Sequence, residues 1–244
     1  MKKSIFIGLF VLTLSLWGCD TLLQIAEKGI TENLDPTDTE IIGGLKEALG
    51  NGAANAVLML SKSGGYLNDP LVKIPFPEEA QFAANTLHDI GLGNLVDEFE
   101  KLLNQGAEEG AKTALPIFKN AITSMTFADA RNILFGPENA ATEYFKAKTR
   151  AELVTAFSPH IKTSLDKVNA TKAWEDVTTR YNSIPLVRKK VNTDIVNYAT
   201  GKALDGLFLK LADEEKKIRM DPIARTSELL KKVFSFAERE KSKQ

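Results

Sequence analysis

Apolar residues in this chain return every three or four positions for most of its length, and no segment sustains the apolar/polar alternation of a half-buried strand. From Thr39 to Ser63 the apolar stripe runs through Ile41, Ile42, Leu45, Leu49, Ala53, Ala56, Val57 and Leu60. A period near 3.6 puts such residues on one face of a helix, where they bury only against other helices. No spacing repeats along the chain, which excludes a solenoid. The pattern predicts an all-α fold, with a single compact domain of roughly eight to ten helices over residues 39–238 and a polar tail over 239–244.

Breakers and caps divide the pattern. Asp35-Pro36-Thr37-Asp38 supplies a turn and an N-cap, and three prolines between Asn68 and Pro77 forbid helix there. Helices are expected over Glu78 to Ile90, Asn94 to Ala114 and from near Pro116 to Met125. Thr126 and Asp129 form a capping box that opens a helix to Leu134. Gly136-Pro137 stops that helix and starts another, with Pro137 at its first position. Thr149 and Glu152 read as a second capping box, and Pro159 as a start or kink. Thr171 reads as the cap of a helix carrying Trp174 and Val177, Asn192 as the cap of Ile195 to Met220, and Asp221-Pro222 as the opening of a last helix to Glu238.

The first residues belong to no fold. Met1-Lys2-Lys3 is a basic start, Ile5 to Leu16 is an apolar run too short to span a bilayer as a helix, and Leu16-Trp17-Gly18-Cys19 closes it. This arrangement resembles the lipobox of bacterial lipoproteins, which implies cleavage after residue 18 and lipid on Cys19. The expected mature chain loses Lys2 and Lys3, taking the formal charge from −1 to −3. Two or three acyl chains anchor stably where one would be marginal. The implied location is the bacterial cell envelope, facing the periplasm, on a membrane that the sequence does not specify. Residues 19–38 form a lipidated start and short tether. In it Leu22, Ala26, Ile30 and Leu34 make one apolar stripe, suited to the membrane surface or to the domain.

Composition narrows the chemistry. Near-balanced charge, with 31 Lys+Arg against 32 Asp+Glu, lacks the basic footprint of a nucleic-acid binder. One Cys and two His exclude a disulfide framework and the usual zinc sites, and no metal or cofactor is expected. The chain has no G-x-S-x-G elbow, H-E-x-x-H pair or phosphate-binding loop, and His88 and His160 lack the Glu of a di-iron motif. No catalytic residue is assigned, and His88 and His160 read as surface or capping residues.

Three groups carry the candidate site. The stretch Tyr66 to Pro77 is unusually apolar for a loop, and Tyr66, Leu71, Ile74 and Phe76 either plug the core or form a partner-binding loop. Asp97, Glu100, Asn104 and Glu108 fall on one side of a helix, as a solvated face or a carboxylate cation site. Asp205, Glu214, Glu215, Arg219 and Arg225 read as a polar network fixing how the last two helices meet, or as paired carboxylates of a hydrolase. Asn104 and Glu108 are counted with this candidate polar network.

Gly44-Leu45-Lys46-Glu47-Ala48-Leu49, Ile74-Pro75-Phe76-Pro77, Met125-Thr126-Phe127-Ala128-Asp129-Ala130, Leu204-Asp205-Gly206-Leu207-Phe208 and Glu214-Glu215-Lys216-Lys217-Ile218-Arg219 carry a further resemblance. Together with neighbouring segments from Ile41 to Phe234, they resemble an uncharacterised bacterial envelope lipoprotein family, domain of unknown function 4197. Gln105 stands where that pattern has Arg. The resemblance implies placement and fold and supplies no activity. The expectation is a lipid-anchored, non-catalytic binding or scaffolding module, whose partners are the membrane and an envelope protein or apolar ligand. The alternatives are an envelope hydrolase and a carrier of an apolar ligand. Labelled palmitate is expected to enter the wild-type protein in a bacterial host, and Cys19→Ala is expected to remove the label and retain residues 1–18.

Overall fold

Thr37 starts the first helix by accepting the Glu40 amide on its hydroxyl at 3.3 Å, while the Glu40 carboxylate takes the Thr37 amide at 2.8 Å. This reciprocal pair satisfies two of the donors that a helix start leaves open. The computed structural model describes residues 35–183, 185 and 190–243. The expected signal peptide, Cys19 and the expected tether stripe from Leu22 to Leu34 lie outside the described residues. Among the described residues there are nine α-helices and no strand. They are α1 (Asp38–Ser61), α2 (Gln81–Asp89), α3 (Gly93–Ala111), α4 (Ala114–Thr123), α5 (Phe127–Phe135), α6 (Ala140–Asp166), α7 (Ala170–Asn182), α8 (Ile195–Met220) and α9 (Glu228–Lys241). Single 3₁₀ turns sit at Glu78–Ala80 and Pro222–Ala224. No helix among the described residues is long and apolar enough to cross a membrane.

The helix α6 is the spine. It packs against α3 on one side and α8 on the other, and α1 covers α8, α4 and α9. Phe118, Phe145 and Phe208 meet at the centre, with ring centroids of the first two 4.9 Å apart. Glycine sets the α3–α6 approach. A β-carbon on Gly106 would lie 2.6 Å from Ile161 Cα, and one on Gly110 would lie 2.7 Å from the Phe157 ring. Both distances are shorter than atoms tolerate, so the two backbones meet only because these residues have no side chain.

Several boundaries differ from the sequence reading. Residues 140–166 form one helix: the Thr149 side chain is buried and bonds back to Phe145 O at 2.7 Å, so it caps nothing. Pro159 lies inside the helix, where burial of Phe157, Ile161 and Leu165 outweighs the proline's cost of about 3 kcal/mol. Pro137 falls in the turn before α6, which begins at Ala140. The cap of α8 is Asp194, whose carboxylate accepts Asn197 N at 2.9 Å, while Asn192 braces Asp194. Thr171 is the second residue of α7, and Ser227 caps α9, which continues to Lys241.

Gly106→Ala is expected to cost about 1–3 kcal/mol in a urea melt, the usual range for overpacking. The Lys232 ammonium, 2.6 Å from Glu40, and the Thr37 donors hold the Glu40 carboxyl at about 2, below its ordinary 4.5. Because the folded value is depressed, this stabilising contribution is complete above pH 4.5 and fades as pH falls toward 2. A carbon-detected NMR titration of Glu40 should give a midpoint near 2, and Lys232→Met should raise it.

Candidate functional site

Turns in the segment after α1 take the amides of Gly65, Asn68, Asp69, Val72 and Lys73, but not those of the buried Tyr66, Ile74 and Phe76. Buried amides and carbonyls need partners, and α3 provides them. The Phe76 N–H donates to Glu100 Oε1 at 2.9 Å, and Lys73 pairs with Glu100 Oε2 at 2.7 Å. Asn104 accepts Ile74 N at 2.8 Å and donates to Ile74 O at 2.9 Å and to Glu100 O at 2.7 Å. Glu108 accepts Tyr66 N at 3.3 Å. Positions 100, 104 and 108 are successive turns of one helix face, so the row on α3 acts as an edge for the loop. Pro70, Pro75 and Pro77 have no N–H to satisfy, which lowers the demand further.

The core provides the other side. Tyr66 donates its hydroxyl to Ala203 O at 2.8 Å, and Tyr198 donates to Pro75 O at 3.3 Å. Burial, and then the Glu108 charge, push the Tyr66 phenol well above its ordinary value. Burial followed by Glu79, Glu78 and Glu100 pushes Tyr198 up to about 12. Gly206 of α8 leaves room for the loop, since a β-carbon there would lie 3.0 Å from Val72. Of the four loop residues read as plugging the core or facing a partner, Tyr66, Ile74 and Phe76 turn inward because their backbone is tied down on α3. Leu71 alone is exposed, at 69%.

Phe76 reaches the edge of an open groove. Its ring lies 5.3 Å from Phe99 and 5.4 Å from Trp174, and Phe99 stacks on Trp174 at 5.7 Å. Trp174 is fixed by donating its indole N–H to Asn192 O at 2.9 Å, and Asn182 clamps both Val191 N and Val191 O at 2.8 Å. The groove between α2, α3 and α7 has a volume of about 340 Å³ and an overwhelmingly apolar lining. Phe82, Leu95 and Val177 stand on its rim, 85%, 56% and 67% exposed. Sequence patterning placed Leu95 and Phe99 opposite the polar row and Trp174 with Val177. Their meeting across α3 and α7 carried no sequence signal, and Phe82 carried none.

The second polar group divides. Asp205 is exposed and pairs with Arg150 at 3.1 Å, away from the others, because the first half of α8 faces outward at that position. Glu215 accepts Ala141 N and Thr142 N, each at 2.9 Å, and the Thr142 hydroxyl at 2.8 Å. These are donors at the start of α6, where a carboxylate also meets the positive end of the helix dipole. Arg219 holds Glu215 at 2.8 Å and donates to Ile133 O at 2.8 Å and Leu134 O at 3.3 Å, near the end of α5. Arg225 closes α8 by donating to Ile218 O at 3.0 Å and Arg219 O at 2.7 Å, and it pairs with Glu238 of α9. Glu214 accepts Asn55 of α1 at 2.9 Å and pairs with Lys217. Asn104 and Glu108 belong with the loop and make none of these contacts.

A family model described as Protein of unknown function (DUF4197) matches residues 35–235. No curated protein and no solved structure matches the chain. Asn104→Ala is expected to orphan the buried Ile74 N–H and carbonyl, lowering stability by about 3 kcal/mol in chemical denaturation and accelerating amide exchange at Ile74.

Proposed function

We propose that this chain, which belongs to the DUF4197 family, is a non-catalytic binding module of the bacterial cell envelope, held to a membrane by lipid on Cys19 and receiving an alkyl chain in the groove between α2, α3 and α7. The groove itself carries the reading. Its lining is built from Phe76, Phe99, Trp174 and aliphatic neighbours, and among the described residues Glu79 is the one charged residue in it. Large apolar side chains left exposed around a concave apolar surface favour an occupant that removes them from water.

Shape and lining select the occupant. The groove offers about 340 Å³ between rings and aliphatic side chains and almost no hydrogen-bonding group for a peptide backbone. A single flexible alkyl chain fits, and each buried methylene contributes about 0.8 kcal/mol. A lipid anchor would keep the groove close to a bilayer, where such chains are abundant. The lipobox resemblance at Leu16 to Cys19 supports that placement.

Benzoylphenylalanine installed at Phe82 in living cells tests the assignment. Irradiation is expected to give one adduct whose mass increase equals a lipid or fatty acid, and Leu95→Asp should reduce its yield at least tenfold. The same probe at Leu58 or Ile223, both exposed and outside the groove, should give little. Equal lipid yields at all three positions, or protein adducts from Phe82, would overturn the alkyl-chain assignment.

A further inference from the structure

At the other end of α3 lies a second cavity, of about 350 Å³, between the end of α1, the last turns of α3 and the end of α6. Its lining is mostly polar, the reverse of the groove's. Two of its residues are deeply buried: Glu108 is 6% exposed and Ser164 is 5% exposed. Glu108 uses one carboxylate oxygen on Tyr66 N, and its other oxygen has no partner among the described residues. The Ser164 hydroxyl has none either, although those of Thr149, Thr155 and Ser158 on α6 bond back along their own helix. Neither atom is sealed from the cavity, so each has a hydrogen bond to offer whatever enters it, and the two stand on residues that are otherwise deeply buried.

The mouth adds charges of the opposite sign. Lys167 and His160 line the cavity and pair with no described residue, and Gln105 presents an amide. Lys112 is taken up by Glu109 at 2.6 Å, so Glu108 and Lys167 remain as one uncompensated negative and one uncompensated positive charge. A ligand of a single sign would satisfy one and repel the other. A lone carboxylate is also too few ligands for a divalent cation.

We infer that this cavity binds a small zwitterion, with its ammonium on Glu108 and Ser164 and its acidic group on Lys167, His160 and Gln105. Gly106 is what makes the site available, since it lets α6 approach closely enough for Ser164 to line the same cavity as Glu108. A β-carbon on Gly106 would already lie 3.2 Å from Ser164 Cβ. The cavity volume is at the small end of ligand sites, about 300–1,000 Å³, and suits an amino acid, a dipeptide or phosphoethanolamine.

The full-length protein in detergent micelles is titrated calorimetrically with the twenty amino acids, alanyl-alanine and phosphoethanolamine. At least one is expected to bind with a Kd below about 1 mM, a free energy beyond roughly −4 kcal/mol. Blocking that probe's amine by acetylation, or removing its acidic group, should weaken binding at least tenfold. Glu108→Gln keeps an acceptor for Tyr66 N and should weaken binding by a similar factor while leaving the melting temperature of the free protein nearly unchanged. Lys167→Glu at the exposed mouth should do the same without touching the core. No heat from any probe at 10 mM, or binding that survives both substitutions, overturns the inference. Neither result bears on the alkyl groove, which the crosslinking at Phe82 reads separately.

Discussion

The fold depends on a helix acting as the edge of a sheet. Glu100, Asn104 and Glu108 provide α3 with a row of side-chain acceptors and donors at a spacing that meets Phe76, Ile74 and Tyr66 in turn. Without that row the apolar loop would face two unfavourable states. Buried, its amides and carbonyls would lack partners; exposed, Tyr66, Ile74, Val72 and Phe76 would face water. The row removes the conflict and so allows a proline-rich loop to contribute to the core. It also fixes Phe76, and with it one wall of the groove.

A second constraint governs how the helix ends meet. Glu215 and Arg219 are one turn apart on α8, and between them they serve the start of α6 and the end of α5, which the chain joins by a short turn. Each charge therefore sits against the helix end whose dipole favours it, and each is hydrogen-bonded on several sides. A buried ion pair in apolar surroundings repays its desolvation poorly, but this one replaces water at backbone groups that need partners in any case. Glu215 takes three donors from α6 and two from Arg219, which fill the lone-pair directions a general base would need. The geometry serves assembly of α5, α6 and α8.

Helix type and most boundaries were legible because local chemistry dictates them. Thr126 and Asp129 close their capping box at 3.0 and 3.1 Å, with Asp serving where Glu or Gln is usual. Thr149 and Pro159 misled for the converse reason: their local preference to end a helix is overridden by the burial of neighbouring apolar residues against α3 and α8, which a sequence window does not contain. The site was legible in halves. The four-residue spacing of Glu100, Asn104 and Glu108 and the pairing of Glu215 with Arg219 could be read directly. Their partners could not, because they are backbone atoms of distant segments, and a backbone amide has no residue-specific signature. Asp205 was grouped with Glu215 by proximity in sequence, yet ten residues of helix separate them by about 15 Å.

The two cavities lie at separate places along one helix, α3. Val96 lines the groove and Glu108 lines the polar cleft, and twelve residues of α3 put them about 18 Å apart along the axis. No small ligand touches both, so any communication must pass through what the two share. Besides α3 itself, that shared structure is the loop, tied to Glu108 at Tyr66 and to the groove at Phe76, with Asn104 gripping it between. An occupant drawing Glu108 toward an ammonium would compete with the Tyr66 amide, which at 3.3 Å is the longest of the α3–loop bonds. The stronger bonds at Ile74 and Phe76 would hold. The row is therefore weakest at the cleft and held more closely at Asn104 and Glu100, an order that confines a disturbance at Glu108 to its own end of the loop.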